Sequence, residues 1–124
     1  MLGSVDAVPA LAVRDLGVAR QFYEKTLGLE FVEQEGEDML IFRSGKARFS
    51  VYRSRYAGTN QATALHWEVK DLDAEVRELK SRGIRFEHYD LPGMKREGDL
   101  HIAEGFRTVW FKDPDGNILN VGGT

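Results

Sequence analysis

The stretch VRDLGVARQFYEKTLGLEF, Val13 to Phe31, has a second version further along the chain: VKDLDAEVRELKSRGIRF, Val69 to Phe86. Both open V-x-D-L and both close G-x-x-F. The copies lie 56 residues apart at the valines and 55 apart at Gly28 and Gly83, so one residue has been lost between them. Each reads as a strand ending in Val, a helix, a glycine stop and a second strand. In the first copy Leu11 and Val13 alternate with small residues, and Asp15 stands where it can cap a helix. Val18, Phe22 and Leu27 then recur near helical spacing, and Gly28 fits the left-handed position that ends such a helix. In the second copy Asp71 is the cap candidate, and Val76 and Leu79 form the apolar stripe. Asp73–Arg77 and Glu78–Arg82 are expected as i,i+4 ion pairs on its wet side.

Further strands follow each helix: FVEQ, MLIFR and ARFSVYR in the first half, RFEHY, TVWFK and NILNV in the second. The repeated unit is βαβββ, and the fold class is α+β. Two such modules in tandem, about 6–54 and 64–122 with a polar connector at 55–63, are expected to make one domain. A module of this size cannot cover its own sheet. Helices would bury one face of a curled mixed sheet, and the other face would form a concave cup. Glu87 to Gly105 is the longest segment without periodicity, and long loops in compact domains are usually functional. Its Tyr89, Leu91, Met94 and His101 make it read as a covering flap. In DPDG, Pro114 presets φ for a type I turn, Asp113 can accept from the turn backbone and Gly116 takes the permissive position. That is a structural device, with no chemistry.

Composition excludes several classes of function. The chain has 17 basic against 20 acidic residues, net −3, with no basic face for nucleic acid. It has no cysteine, which removes disulfides, thiolate nucleophiles and Cys-ligated zinc. MLGSVDAVPA has neither a basic start nor a continuous apolar segment, so a secretory leader is not expected. The longest apolar run, Ala7 to Val13, is too short to span a bilayer. A cytoplasmic protein is expected. P-loop, dinucleotide-fingerprint, H-E-x-x-H and G-x-S-x-G motifs do not occur, and RSGKAR, Arg43 to Arg48, reads as a solvated hairpin tip.

Taken together, the paired βαβββ modules, V-x-D-L at each strand–helix junction, F-Y-x-x-x-L-G-L in the first helix and D-P-D-G-N-x-L near the end resemble the vicinal oxygen chelate superfamily. This superfamily includes glyoxalase I, extradiol dioxygenases, methylmalonyl-CoA epimerase, fosfomycin-resistance enzymes and bleomycin-resistance binding proteins. The resemblance spans essentially the whole chain and looks most like the small glyoxalase/bleomycin-resistance members. It implies four metal-ligand positions in metal-using relatives, held by His, Glu or Gln on the first and last strands of each module. Family spacing carries these onto Val8, Ser50, Ala64 and Asn120. None is a strong donor for a divalent ion, so no metal and no cofactor are expected. A register shift of two would bring in His66. Relatives of this type commonly pair as homodimers.

Alternation along the strands predicts what faces the cup. Leu65, Trp67 and Val69 should pack beneath the helices, with Ala64, His66 and Glu68 on the other face. His66 and Glu68 are the candidate catalytic pair, base and orienting acid; the alternative is that both pair with loop backbone or Arg side chains. Ala10 and Ala12 leave room. Ser50 and Tyr52 face the cup with Arg48, and Trp110 forms a wall with Tyr56, Phe106 and Tyr89 nearby. The expected ligand contacts are therefore Ser50, Tyr52, Tyr56, His66, Glu68, His101, Phe106, Trp110 and Asn120. Such a surface favours a flat or amphipathic small organic ligand. The leading expectation is a metal-free binder with a sequestration or resistance-like role. One rival is a lyase, isomerase or hydrolase working through His66 and Glu68. Another is a divalent-metal enzyme of the glyoxalase or dioxygenase type that recruits His101.

Overall fold

A computed structural model describes residues 1–124 and divides them into two compact units, Met1–Thr59 and Asn60–Thr124. The first unit runs β1 (Ala10–Val13), α1 (Leu16–Arg20, continuing as a π-helical turn over Gln21–Thr26), β2 (Glu30–Glu35), β3 (Met39–Ser44) and β4 (Ala47–Arg53). These strands form a four-stranded mixed sheet in the order β1-β4-β3-β2, with β1 and β4 parallel. The βαβββ module read from the sequence is present. Asp15 caps α1 by accepting from the Val18 amide at 3.0 Å, which satisfies an otherwise orphaned donor. Gly28 takes φ 75° at the helix stop, a conformation that costs glycine nothing.

The apolar stripe on α1 differs from expectation. Val18 is about half exposed, whereas Ala19, Phe22 and Tyr23 are buried. The π turn carries the adjacent residues Phe22 and Tyr23 into the core together. Tyr23 meets Phe42 and Phe49, each with ring centroids 5.7 Å away. Those two rings stack on one another at 5.7 Å beside Leu11, Val13, Leu40 and Val51. On the opposite sheet face the register sets Ala10, Ser50 and Ile41 side by side.

The second unit runs β5 (Thr63–Val69), α2 (Leu72–Ser81), β6 (Phe86–Glu87), β7 (Lys95–Glu97), β8 (Leu100–Ala103), β9 (Phe106–Lys112) and β10 (Ile118–Gly123). Its sheet follows β5-β10-β9-β8-β7, with β5 and β10 parallel, and β6 pairing β9 beyond the end of β8. Asp71 caps α2 through the Ala74 amide at 3.1 Å. Glu78 and Arg82 form the expected pair at 2.7 Å. Asp73, however, reaches Arg107 on β9 through two contacts of 3.2 Å rather than Arg77. A bidentate grip on a guanidinium is the stronger choice. It also fixes α2 over the face that carries Val109 and Phe111, where Leu119 and Val121 complete the core.

Within the segment 87–105, where a covering flap was expected, residues 95–103 form a hairpin of the sheet. β7 and β8 pair antiparallel, and β8 continues the sheet along β9 through His101–Thr108 and Ala103–Phe106. Its turn is tied down by Asp99, which accepts from Lys80 of α2 at 2.6 Å and from His88 at 2.8 Å. Those two partners hold the Asp99 carboxyl below the ordinary carboxylate value. In the loop between β9 and β10, Asp113 accepts from the amides of Asp115 and Asn117, each at 2.9 Å, and from the Asn117 side chain at 2.8 Å. This is the structural turn that the sequence motif predicts.

Candidate functional site

The sheet face of the second unit opposite α2 is where chemistry-bearing side chains gather. Asn120 sits between His66 on β5 and Trp110 on β9 in register. Family spacing pointed to Ala64 on this strand; the residue that pairs with Asn120 is His66, two positions on, past a register irregularity between Ile118 and Leu119. In the first unit Ser50 pairs with Ala10 rather than with Val8, which lies exposed before β1.

Asn120 is 5% exposed and every polar atom of its side chain is used. Its Nδ2 donates to Thr108 Oγ1 at 2.6 Å and to the Val109 carbonyl at 3.1 Å. Its Oδ1 meets His66 Nδ1 at 2.5 Å. Thr108 is itself buried and donates its hydroxyl proton to the Val121 carbonyl at 2.9 Å. Burial without partners would cost each of these groups roughly 1–3 kcal/mol, and here none goes unpaired. Sequence reasoning missed Thr108; the only signal was a Thr on the same strand face as Trp110, in alternation with Val109 and Phe111.

His66 is 41% exposed, and its Nε2 lies 3.5 Å from Glu68 Oε1. Glu68 is more exposed, at 78%. The pair read from alternation therefore meets, at the loose end of ion-pair distance. On the next residue of the row, Gly122 sits where neighbouring side chains leave little room: a Cβ there would come within 3.2 Å of the Phe106 ring and 3.3 Å of His66 Cε1. Phe106 thus closes over Gly122 while remaining 40% exposed.

Trp110 is held from two sides. Its indole Nε1 donates to Thr63 Oγ1 at 3.1 Å, and its ring is met edge-on by His101 at 4.8 Å and by Tyr89 at 5.5 Å. His101 was expected to contact ligand; it is instead 1% exposed, because β8 pairs directly with β9 and carries it inside. There its Nε2 accepts from the Tyr89 amide at 2.9 Å. Burial, then the charge of His88, holds the imidazole below its ordinary value. Burial, with the Glu87 carboxylate adding to it, pushes the Tyr89 phenol up. The Tyr89 hydroxyl and His101 Nδ1 are both buried without a hydrogen-bond partner.

The remaining expected contacts lie in the first unit. Ser50 is buried, and its hydroxyl donates to the Pro9 carbonyl at 3.4 Å. Tyr52 follows it on the same strand face and is 37% exposed. Tyr56, in the turn after β4, is 62% exposed and receives the Arg55 guanidinium at its hydroxyl, 2.8 Å away.

The donors on the second unit's face do not match a divalent-metal centre. Asn120 Oδ1 is taken by His66, which leaves His66 Nε2 and the Glu68 carboxylate, two donors where zinc takes three or four from the protein. Ser50 and Val8 add no imidazole or carboxylate. No three His, Asp or Glu side chains cluster anywhere in the chain as metal ligands would.

Comparison with known proteins agrees with this architecture. Residues 6–121 match the model of the Glyoxalase/Bleomycin resistance protein/Dioxygenase superfamily. None of the curated proteins matches the chain. Among solved structures it is similar to a glyoxalase family protein from Enterococcus faecalis, with TM-score 0.74, 18% identity, and 98% of this chain and 99% of that one covered. It is also similar to a bleomycin-binding protein complexed with bleomycin, with TM-score 0.71, 22% identity and coverage of 96% and 98%. A lactoylglutathione lyase from Agrobacterium tumefaciens gives TM-score 0.66 at 25% identity, covering 97% and 93%. With the twin βαβββ modules, the V-x-D-L junctions and a family match over nearly its full length, the chain belongs to the Glyoxalase/Bleomycin resistance protein/Dioxygenase superfamily.

Proposed function

We propose that this protein binds a small aromatic or amphipathic organic molecule on the polar, aromatic face of its second unit, without a metal, in a sequestration or resistance-like role. The observation that carries the reading is Asn120: its amide is wholly spent on His66, Thr108 and Val109, beside an indole fixed edge-on with a surface still open. Stacking on Trp110 and Phe106 supplies affinity for a flat guest, and affinity is all that sequestration needs. A member of the same superfamily that binds bleomycin shares the fold, which makes such a role compatible with the architecture. As part of the same proposal, the protein works in the cytoplasm as a homodimer, which light scattering on the purified protein checks.

A second reading has one observation in its favour. The His66–Asn120 hydrogen bond orients the imidazole, and Glu68 lies beside its far nitrogen, as in a general base with a supporting acid. A lyase or isomerase in the same superfamily could work through that pair.

A thermal-shift screen against metabolites and antibiotics, with product analysis of every hit, separates the readings. Sequestration predicts binding without product, and a loss of about tenfold or more in affinity for Trp110→Ala, the effect of removing a stacking anchor worth over ~1.4 kcal/mol. Acid–base catalysis predicts turnover that disappears in His66→Ala while binding persists. Hits indifferent to Trp110→Ala would overturn the proposed face.

A further inference from the structure

Resting on the ligand-binding reading above, one feature of this face assigns the chemical character of the guest. The Val109 carbonyl can only accept a hydrogen bond, so the Asn120 atom 3.1 Å from it must be the NH2 group. The other end of the amide is then the oxygen, and it too can only accept. His66 Nδ1, facing that oxygen, must therefore carry a proton. In the neutral ring the lone pair is left on Nε2, and Nε2 is the nitrogen 3.5 Å from the Glu68 carboxylate. A lone pair and an anion set side by side repel one another unless a proton on Nε2 or a donor from a guest enters between them.

We infer that Asn120 is a positioning residue that fixes the His66 tautomer, and that His66 Nε2 with Glu68 forms a two-acceptor clamp for a protonated amine or amidine carried on an aromatic ligand. The surroundings suit such a cation. The Phe106 ring and the imidazole both close on Gly122, and Trp110 stands one strand beyond Asn120. Aromatic faces attract cations as well as flat apolar bodies. No lysine or arginine forms an ion pair with Glu68; the one nitrogen set beside its carboxylate is His66 Nε2.

Two measurements on the intact protein test this. Long-range proton–nitrogen NMR correlation of His66 in alkaline buffer reads the tautomer directly. The wild type is expected to show a protonated Nδ1 and a lone pair on Nε2, and Asn120→Ala to shift the ring toward Nε2–H. A wild-type ring protonated on Nε2 instead would overturn the inference. The second measurement titrates the wild type with naphthylmethylamine, naphthylmethanol and naphthoate while following the Trp110 indole and His66 resonances. The amine should bind tightest and lose about tenfold in Glu68→Gln, the worth of one charge-assisted hydrogen bond. Equal or tighter binding of the alcohol or the carboxylate at Trp110 would overturn the clamp while leaving the organic-ligand reading standing. If none of the three probes perturbs His66 and Trp110, the clamp is likewise overturned, and the broader reading then depends on the ligand screen alone. Should Asn120→Ala fail to fold, the wild-type tautomer and the Glu68→Gln titration decide the matter.

Discussion

Asn120 shows why an amide, and neither a carboxylate nor an apolar side chain, occupies the middle of the last strand. It must donate to a carbonyl and a hydroxyl on one side and accept from an imidazole on the other, and only a carboxamide does both. Asn120→Asp would set a carboxylate oxygen against the Val109 carbonyl in a buried site. It should lower unfolding free energy by about 1–3 kcal/mol or more, measured by urea denaturation. A second residue-scale constraint sits at the strand end. A Cβ on Gly123 would lie 2.1 Å from the Val69 carbonyl oxygen, closer than any real contact, so the two strands can pair there only over glycine. Gly123→Ala should therefore destabilise the protein by about 1–3 kcal/mol by forcing β10 away from β5, and loss of amide protection in β5 would report it. Neither constraint was legible in the sequence. The amide's odd placement among apolar neighbours was visible, but its partners depend on a register that a one-residue irregularity at Ile118–Leu119 resets.

At the scale of elements, what could be read and what could not divides along local and non-local physics. The caps Asp15 and Asp71, the stop at Gly28 and the Asp113 turn were all legible, because each is a contact within a few residues. The hairpin of β7 and β8 was not. Lys95–Glu97 is three charged, exposed residues with no alternation, and what makes it a strand is the β8–β9 pairing next door. The π turn in the first helix was hidden for a similar reason, since Tyr23 turns inward only because Phe42 and Phe49 wait there. The hairpin carries a pH prediction. His101 is folded in its neutral form, accepting from the Tyr89 amide, with its pKa below the unfolded value. Its contribution is complete above the unfolded imidazole value of about 6.5 and is lost as pH falls from there through the lower folded value. The melting temperature should drop across that window, and His101→Gln, which keeps an acceptor but cannot titrate, should flatten the drop. Asp99, also held low, acts in a separate window: its contribution is complete above the ordinary carboxylate value and fades only at more acid pH.

The molecule as a whole uses one βαβββ plan twice, with different side chains at matching positions of its two halves. In the first unit, the positions matching His66 and Asn120 are Ala10 and Ser50, a methyl group and a hydroxyl already engaged with Pro9. The candidate chemistry therefore falls on the second unit, whose longer sheet adds the hairpin and buries His101, with the Tyr89 hydroxyl, beside Trp110. Duplication was the most legible feature of the chain, and it led directly to the family. The difference between the copies was less so, because it rests on which residues pair across strands. The proposed metal-free binding of an organic guest rests on how few donors, His66 Nε2 and the Glu68 carboxylate, this face leaves for a divalent ion. Metal content measured by mass spectrometry tests this most directly, after the purified protein is incubated with nickel, zinc, manganese and iron(II) and then desalted. The account predicts well under one ion per chain for every metal. One tightly held equivalent, lost on His66→Ala, would contradict it.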